Sequence, residues 1–334
     1  MTAISPSSDA LKQQISSLLR DELVAVRDCL KQQFRNRSGF IQDVADHASR
    51  FRGKQIRPIL TLLSARLSAQ TAASTQQARR FAAVVEMIHA ATLVHDDVID
   101  DADIRRHVST VHRRWNTETS VLFGDYLFSQ AFTLAATSGD AEACRLIGHA
   151  TNRTCEGELN QVAARLEHSR SERDYFRIIY GKTGHLFAVS CRLGARASGL
   201  PEKSQRLLSL FGARVGMAFQ IADDVLDLTA NAERTGKDSR NDLQNNRLTL
   251  PVLRALRLGN ESERKQLLEF LEHSSEQPEA TAQDCPAIRA GLDSASRSAE
   301  RLAHRAIDCL QHFPDGPERR TLAAIAMFAA GRPC

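Results

Sequence analysis

Apolar side chains return every three or four residues along almost the whole chain, with short polar interruptions between the stripes. From Asp9 to Lys31 the stripe is Leu11, Ile15, Leu18, Leu19, Leu23, Val26 and Leu30, the spacing of one helix face. The same spacing predicts helices over Pro58–Ala69, Gln76–Asp103, Ser120–Ala136, Ala141–Ala164, Ser171–Ser198 and Pro201–Leu228. It continues over Leu248–Leu258, Glu261–His273, Pro286–Gln311 and Pro317–Ala330. Breaks fall at Arg35–Gly39, Gly139–Asp140 and Gly199–Pro201, with longer polar stretches at Thr229–Arg247 and His273–Asp284, the latter read as a surface loop. No Gly/Ser- or Pro-rich linker divides the chain, and no repeat of roughly 20–50 residues is visible. The expectation is an all-α fold, one large helical domain over residues 1–334.

Composition narrows this further. Seventeen glycines, nine prolines and 5% aromatics among 334 residues are too few turn and strand formers for a sandwich or barrel. With 42% hydrophobic residues there is ample material for a core, which excludes wholesale disorder. Basic and acidic residues nearly balance, 44 against 40, so no nucleic-acid partner is expected. The seven cysteines are scattered without CxxC spacing, which points away from a zinc site or a disulfide framework and toward a reducing cytoplasm. The N-terminus lacks the basic and apolar regions of a signal peptide. The longest apolar run, Phe81–Val94, is interrupted by Glu86 and His89 and falls short of the roughly 20 residues that span a membrane. Peripheral membrane contact for product release stays open.

Two segments carry the chemistry. HDDVID (His95–Asp100) and ADDVLD (Ala222–Asp227) each hold a DDxxD that closes a long apolar helical pattern. On a helix, residues i and i+4 share a face, so Asp96 with Asp100, and Asp223 with Asp227, each direct two carboxylates to one point. Such oxygen donors suit Mg²⁺, which takes a few carboxylates and completes its shell with water and phosphate oxygens. One DDxxD is as readily a solvated helix end. Two of them, at helix ends where the macrodipole disfavours acids, are not. Bases recur beside both clusters: Arg105 and Arg106 after the first, Lys237 and Arg247 after the second, RGKQIRP (Arg52–Pro58) upstream, and Lys182 in YGKTG. Carboxylates that hold a metal, beside Arg and Lys, make a polyphosphate site.

On these residues the sequence resembles the trans-type polyprenyl diphosphate synthases, the head-to-tail prenyltransferases. The resemblance runs from about Gly53 to Pro251 through GKQIRP, EMIHAATLVHDDVIDDADIRR, FGDYLF (Phe123–Phe128), GELNQ (Gly157–Gln161), GKTG (Gly181–Gly184), FQIADDVLD (Phe219–Asp227) and GKDSRNDLQNNRLTLP (Gly236–Pro251). It implies long helices around a central pocket, a homodimer, and coupling of isopentenyl diphosphate to an allylic prenyl diphosphate with release of pyrophosphate. It implies Mg²⁺ on Asp96, Asp100 and Asp223, with Asp97, Asp224 and Asp227 supporting. Arg105, Lys182 and Lys237 would hold the allylic diphosphate. Lys54, Arg57, His89 and Arg106 would hold isopentenyl diphosphate. Thr183 and Gln220 are placed to turn the negative ends of their dipoles toward an allylic cation, and water must be kept from it. No side chain is an obvious general base; in the family the released pyrophosphate is thought to take the final proton.

Other readings compete. EMIH (Glu86–His89) is an ExxH, half of a di-iron site, but the chain offers no second one. A class I terpene cyclase shares the metal-bound DDxxD yet has no use for Lys54, Arg57 and Arg106. A non-catalytic subunit of a heteromeric synthase typically lacks one acid cluster, and both are present here. The chain also departs from the family pattern: Arg52 stands for Gly, Gln55 for Arg, His107 for Gly, Ser109 for Pro, and Asn246-Arg247 for Gly-Lys. One turn before Asp96 lie Ala91 and Thr92, both small, where a ring would close the pocket. At roughly 5 Å, one helical turn, per C5 unit, this favours a long product of about C25 to C45 over a short one of about C15 to C20. Phe128 and Phe132 are candidates for the pocket floor.

Overall fold

The computed structural model describes residues 8–35, 37–51, 53–68, 71–166, 171–229, 249–273 and 286–331. The chain enters through α1 (Ser8–Phe34) and α2 (Gly39–Ala48), followed by a 3-10 turn (Ser49–Phe51) and α3 (Ile56–Ala65). Pro58 sits in the first turn of α3, where its missing N–H is no loss. Next comes α4 (Ala72–Ile99), started by a reciprocal cap. The Ser74 N–H donates to the Thr71 hydroxyl, and the Thr71 N–H donates to the Ser74 hydroxyl. A short hairpin follows, β1 (Ile104–Arg105) paired antiparallel with β2 (Val108–Ser109). Then come α5 (Val111–Arg114), α6 (Thr117–Ala136), α7 (Ala141–Leu166) and α8 (Glu172–Ile179). A five-residue π turn, Tyr180–Gly184, leads directly into α9 (His185–Ala197) and then α10 (Glu202–Thr229). The remaining helices are α11 (Leu250–Leu258), α12 (Glu261–His273), α13 (Pro286–Leu310) and α14 (Pro317–Ala330).

Two long helices organise this all-α bundle. In α4, Phe81–Val85, Met87 and Ile88 are all buried, because the helix packs against α1, α3, α6 and α9. A helix apolar on every side is a core helix. The second, α10, packs against α9, α13 and α14. Lying between them, α9 touches both and thereby sets the ends of α4 and α10, with their acid clusters, relative to one another.

Three elements differ from the periodicity reading. The Gln76–Asp103 helix stops at Asp100, its C-cap, and the hairpin takes the next residues. The helix expected over Ser171–Ser198 is broken in register by the π turn. The segment Gly39–Ala48, assigned to no element from the sequence, is α2. No helix among the described residues is long and apolar enough to cross a membrane.

Candidate active site

The first acid cluster closes α4. Asp97 is turned inward and buried, and Arg105 donates to its Oδ1 from Nε at 2.7 Å, with Nη2 at 2.6 Å. Burial raises the Asp97 carboxyl above its usual range, while the Arg105 bond opposes this. Asp96 and Asp100 are half-buried. Asp96 lies 3.9 Å from the Lys182 ammonium, which is also 2.8 and 3.0 Å from the two Glu158 oxygens. Burial raises the Glu158 carboxyl, and Asp96 and Asp100 push the same way while Lys182 opposes.

Lys182 comes from the π turn, and glycines set how closely that turn can approach α7. A Cβ on Gly157 would stand 2.5 Å from the Lys182 backbone nitrogen, so only glycine fits at this crossing. This gives GELNQ and GKTG a shared physical reason. The next residue, Thr183, faces the other cluster. Its hydroxyl donates to Gln220 Oε1 at 2.8 Å, and Gln220 Nε2 donates to Asp224 Oδ1 at 3.0 Å. The hydroxyl of Tyr175, on α8, donates to the other oxygen, Asp224 Oδ2, at 2.5 Å. Asp224 is thus buried and engaged on its scaffold side, as Asp97 is, while Asp223 and Asp227 are half-buried like Asp96 and Asp100.

A second group forms around His89. Burial, with Arg57, Arg105 and Arg106 nearby, holds His89 well below its usual range, so its ring is neutral at pH 7. Arg57 is buried over the Phe187 ring at 4.7 Å, and its Nε has no hydrogen-bond partner. Burial lowers Arg57 to about 10, with Glu86 opposing. Arg106 donates to the Phe51 carbonyl, and its guanidinium fills the space a side chain on Gly53 would need. Lys54 lies 5.2 Å from the Phe328 ring of α14. Three of the four residues expected to hold isopentenyl diphosphate therefore share one neighbourhood. An unpartnered buried Arg donor beside a neutral His is the donor set an anion would satisfy.

A family model described as polyprenyl synthetase matches residues 39–288. The chain belongs to the polyprenyl synthetase family. It is similar to heptaprenyl diphosphate synthase component 2 of Geobacillus stearothermophilus, 34% identical over 322 residues, 95% of this chain and 97% of that protein. It is similar to octaprenyl diphosphate synthase of Haemophilus influenzae, 33% identical over 283 residues, 84% of each. Among solved structures it resembles a polyprenyl synthase of Caulobacter crescentus CB15 complexed with calcium and isoprenyl diphosphate, at 31% identity and a TM-score of 0.87 over 99% of both chains. The fold is the isoprenoid synthase fold, and the protein is a trans-prenyltransferase.

Among the described residues, no three carboxylate, imidazole or thiol side chains converge enough to enclose a metal by themselves. The half-buried carboxylates of Asp96, Asp100, Asp223 and Asp227 are hard oxygen donors of the kind that would suit a divalent cation. Lys237, Arg52, Asn246 and Arg247 lie outside the described residues. Two expectations about the pocket change. Phe132 is exposed on α6, 38% accessible, so it does not form a floor within this chain. Phe128 stays half-buried, 5.8 Å from the His95 ring. Ala91 and Thr92 do not share a face, since adjacent residues diverge by about 100° around a helix. Ala91 is fully buried in an apolar cluster with Phe123 and Leu127, whereas Thr92 is half-buried in line with Asp96.

Glu158, Tyr175 and Glu86 join the site only in three dimensions, Glu86 being visible in the sequence as part of an ExxH and Glu158 as part of GELNQ. Nothing in an apolar stripe distinguishes Tyr175 from an ordinary core ring.

Proposed function

We propose that this site condenses isopentenyl diphosphate head-to-tail with an allylic diphosphate, using Mg²⁺, to build an all-trans polyprenyl diphosphate of about C25 to C45, at one helical turn per C5 unit. The observation that carries this reading is the π turn. Its consecutive residues Lys182 and Thr183 reach the first and second acid clusters respectively, so one segment joins both halves of the site. The C–O bond of the allylic diphosphate breaks with its electron pair passing to the leaving diphosphate. The double bond of isopentenyl diphosphate supplies the electrons of the new C–C bond, and the proton lost from that unit goes to the released pyrophosphate. Asp96, Asp100 and Asp223 would hold Mg²⁺, with Asp227 supporting, while Asp97 and Asp224, held by Arg105 and by Tyr175 and Gln220, would support the clusters from the protein side without ligating it. Bound there, the metal would neutralise the leaving diphosphate. Arg105, Lys182 and Lys237 hold the allylic diphosphate, and Lys54, Arg57, His89 and Arg106 hold isopentenyl diphosphate. Cations placed where negative charge grows stabilise the transition state more than the ground state. Gln220 and Thr183 face the allylic cation.

The exposed apolar side chains Val121, Leu122 and Phe132 on α6 support a homodimer through that face. The place of action proposed is the cytoplasm. The test is incubation with labelled isopentenyl diphosphate and farnesyl diphosphate, with and without Mg²⁺. Elongation should require the metal, and Asp96→Ala or Asp223→Ala should each lower it by several orders of magnitude with helical content unchanged. Near-normal turnover in either variant removes the metal assignment. A cyclic hydrocarbon as product would overturn the reading in favour of a cyclase.

A further inference from the structure

The hydrogen-bonded chain that ends at Thr183 begins well outside the site, on α8. Every group in it has a fixed sense. Tyr175 is buried, and its hydroxyl donates to Asp224 Oδ2. A carboxylate only accepts, so the group that meets Asp224 Oδ1 must be the Gln220 NH₂. The amide carbonyl is then forced to the other side, where the Thr183 hydroxyl donates to it. Flipping the amide would set two oxygens against each other across 3.0 Å. The base of the chain is anchored as well. Ser171 caps α8 by accepting from the Asp174 N–H. Glu172 accepts from Arg254 Nη2 at 3.0 Å, while Arg254 Nη1 donates to the Ser294 carbonyl and the Ser298 hydroxyl, each at 2.6 Å. The C-terminal helices α11 and α13 thus hold α8, and α8 holds Asp224.

We propose that Tyr175 is a positioning residue for the condensation: by fixing Asp224 it fixes which way the Gln220 amide points, and so presents the Gln220 carbonyl and Thr183 oxygen to the allylic cation. The proposal rests on the function proposed above. It also gives the second Asp of the second cluster a task other than metal ligation. Asp224 has both oxygens turned to the protein, one to α8 and one to Gln220. The chain acts on the charge that develops during ionisation, because a fixed dipole needs no reorganisation at that moment. Removing the Tyr175 hydroxyl leaves substrate-binding groups in place and loosens only the dipole.

The test is a double-mutant cycle on single-turnover condensation, using Tyr175→Phe, Gln220→Met and the double variant, with melting and Mg²⁺ titration alongside. Tyr175→Phe should lower the condensation rate about tenfold while both substrate KM values stay within about twofold. In the Gln220→Met background the same change should add nothing, because its route of action is gone. A wild-type rate in Tyr175→Phe, or effects that multiply in the double variant, would overturn the proposal. Should Tyr175→Phe not fold, Asp224→Asn serves in its place. It should show the rate loss at an unchanged half-saturating Mg²⁺, and a shifted Mg²⁺ requirement would assign Asp224 to the metal and overturn the chain. Wild-type protein without condensation activity would instead overturn the proposed function, and the positioning role with it.

Discussion

Thr92→Phe offers a direct reading of how the pocket measures its product. Thr92 lies four residues before Asp96, about 6 Å along the axis at 1.5 Å per residue, which is close to one C5 unit. Its hydroxyl donates to the His89 carbonyl at 2.8 Å, and the side chain is half-buried, so there is space beside it. A ring there stands one turn below the first acid cluster, in the path proposed for the growing tail. The chemical step lies above the obstruction, so the first condensation survives and elongation stops early. The product should shift from long chains to about C15 to C20 from geranyl diphosphate, and about C20 to C25 from farnesyl diphosphate, after one or two additions at one turn each. Ala91→Phe is a different perturbation. Ala91 is fully buried against Phe123 and Leu127, so a ring there overpacks the cluster at roughly 1–3 kcal/mol. Thr92→Phe should therefore melt near the wild-type temperature and Ala91→Phe below it. The assay is chromatographic sizing of hydrolysed products, primed with geranyl and with farnesyl diphosphate at equal substrate ratios, beside a thermal melt. A folded, active Thr92→Phe variant making wild-type lengths would refute the pocket geometry and the long-chain argument built on it.

Lys54→Ala and Arg57→Ala should each raise the KM for isopentenyl diphosphate about tenfold or more, the worth of a charge-assisted hydrogen bond, with a much smaller change for the allylic substrate. Steady-state kinetics check this, and equal rises for both substrates argue against the assignment. Arg57→Ala should also melt lower than Lys54→Ala, since it removes a buried cation that offsets Glu86. His107→Gly should stabilise the protein, because His107 sits at φ 64° and a side chain there costs about 1–2 kcal/mol, partly offset by glycine's greater freedom when unfolded. Denaturant titration should show a net gain of about 0.5–1 kcal/mol, and a loss would rule out backbone strain at that turn. Stability should fall as pH drops from about 6.5 to about 4. His185 is held down to about 4, chiefly by burial and then by His149, whereas an unfolded His binds its proton near 6.5. The unfolded state therefore binds more protons across that window, so acid favours it. His185→Gln should flatten part of the decline in melting temperature against pH.

The acid clusters were legible because their chemistry and their spacing say the same thing: Asp at i and i+4 after an apolar stripe is costly to explain otherwise. The helices that carry them were legible for the same reason, since burial leaves a period of 3.6 in the sequence. The hairpin was not. Its strands are two residues each, too short for alternation to register. Its turn uses positive φ at Arg106 and His107, neither of them the Gly or Asn that usually announces such a turn. The departure from the family pattern at His107 falls on that backbone, which explains why glycine suits the position. Phe132 was misplaced because two rings at i and i+4 still differ by about 40° around a helix, and α6 turns from buried to exposed within that arc. The union of Lys182 and Thr183 with separate clusters is tertiary. No local pattern could show that α9 lies between α4 and α10.

The π turn also limits how this region can change. Between Tyr180 and Gly184 the helix carries one residue more than its α-helical geometry needs, and the extra residue is taken up as a bulge, so α8 and α9 keep one path. Tyr175 and Ile179 are buried on one side of that bulge, and Leu186 and Phe187 on the other. Deleting one residue between them would close the turn into regular α-helix with the two halves still in phase, so Tyr175 would keep Asp224 and Phe187 the face that meets Arg57. What would be lost is the bulge itself, from which Lys182 and Thr183 reach different clusters. Shortening this segment by one residue should therefore spare the fold and strike the site.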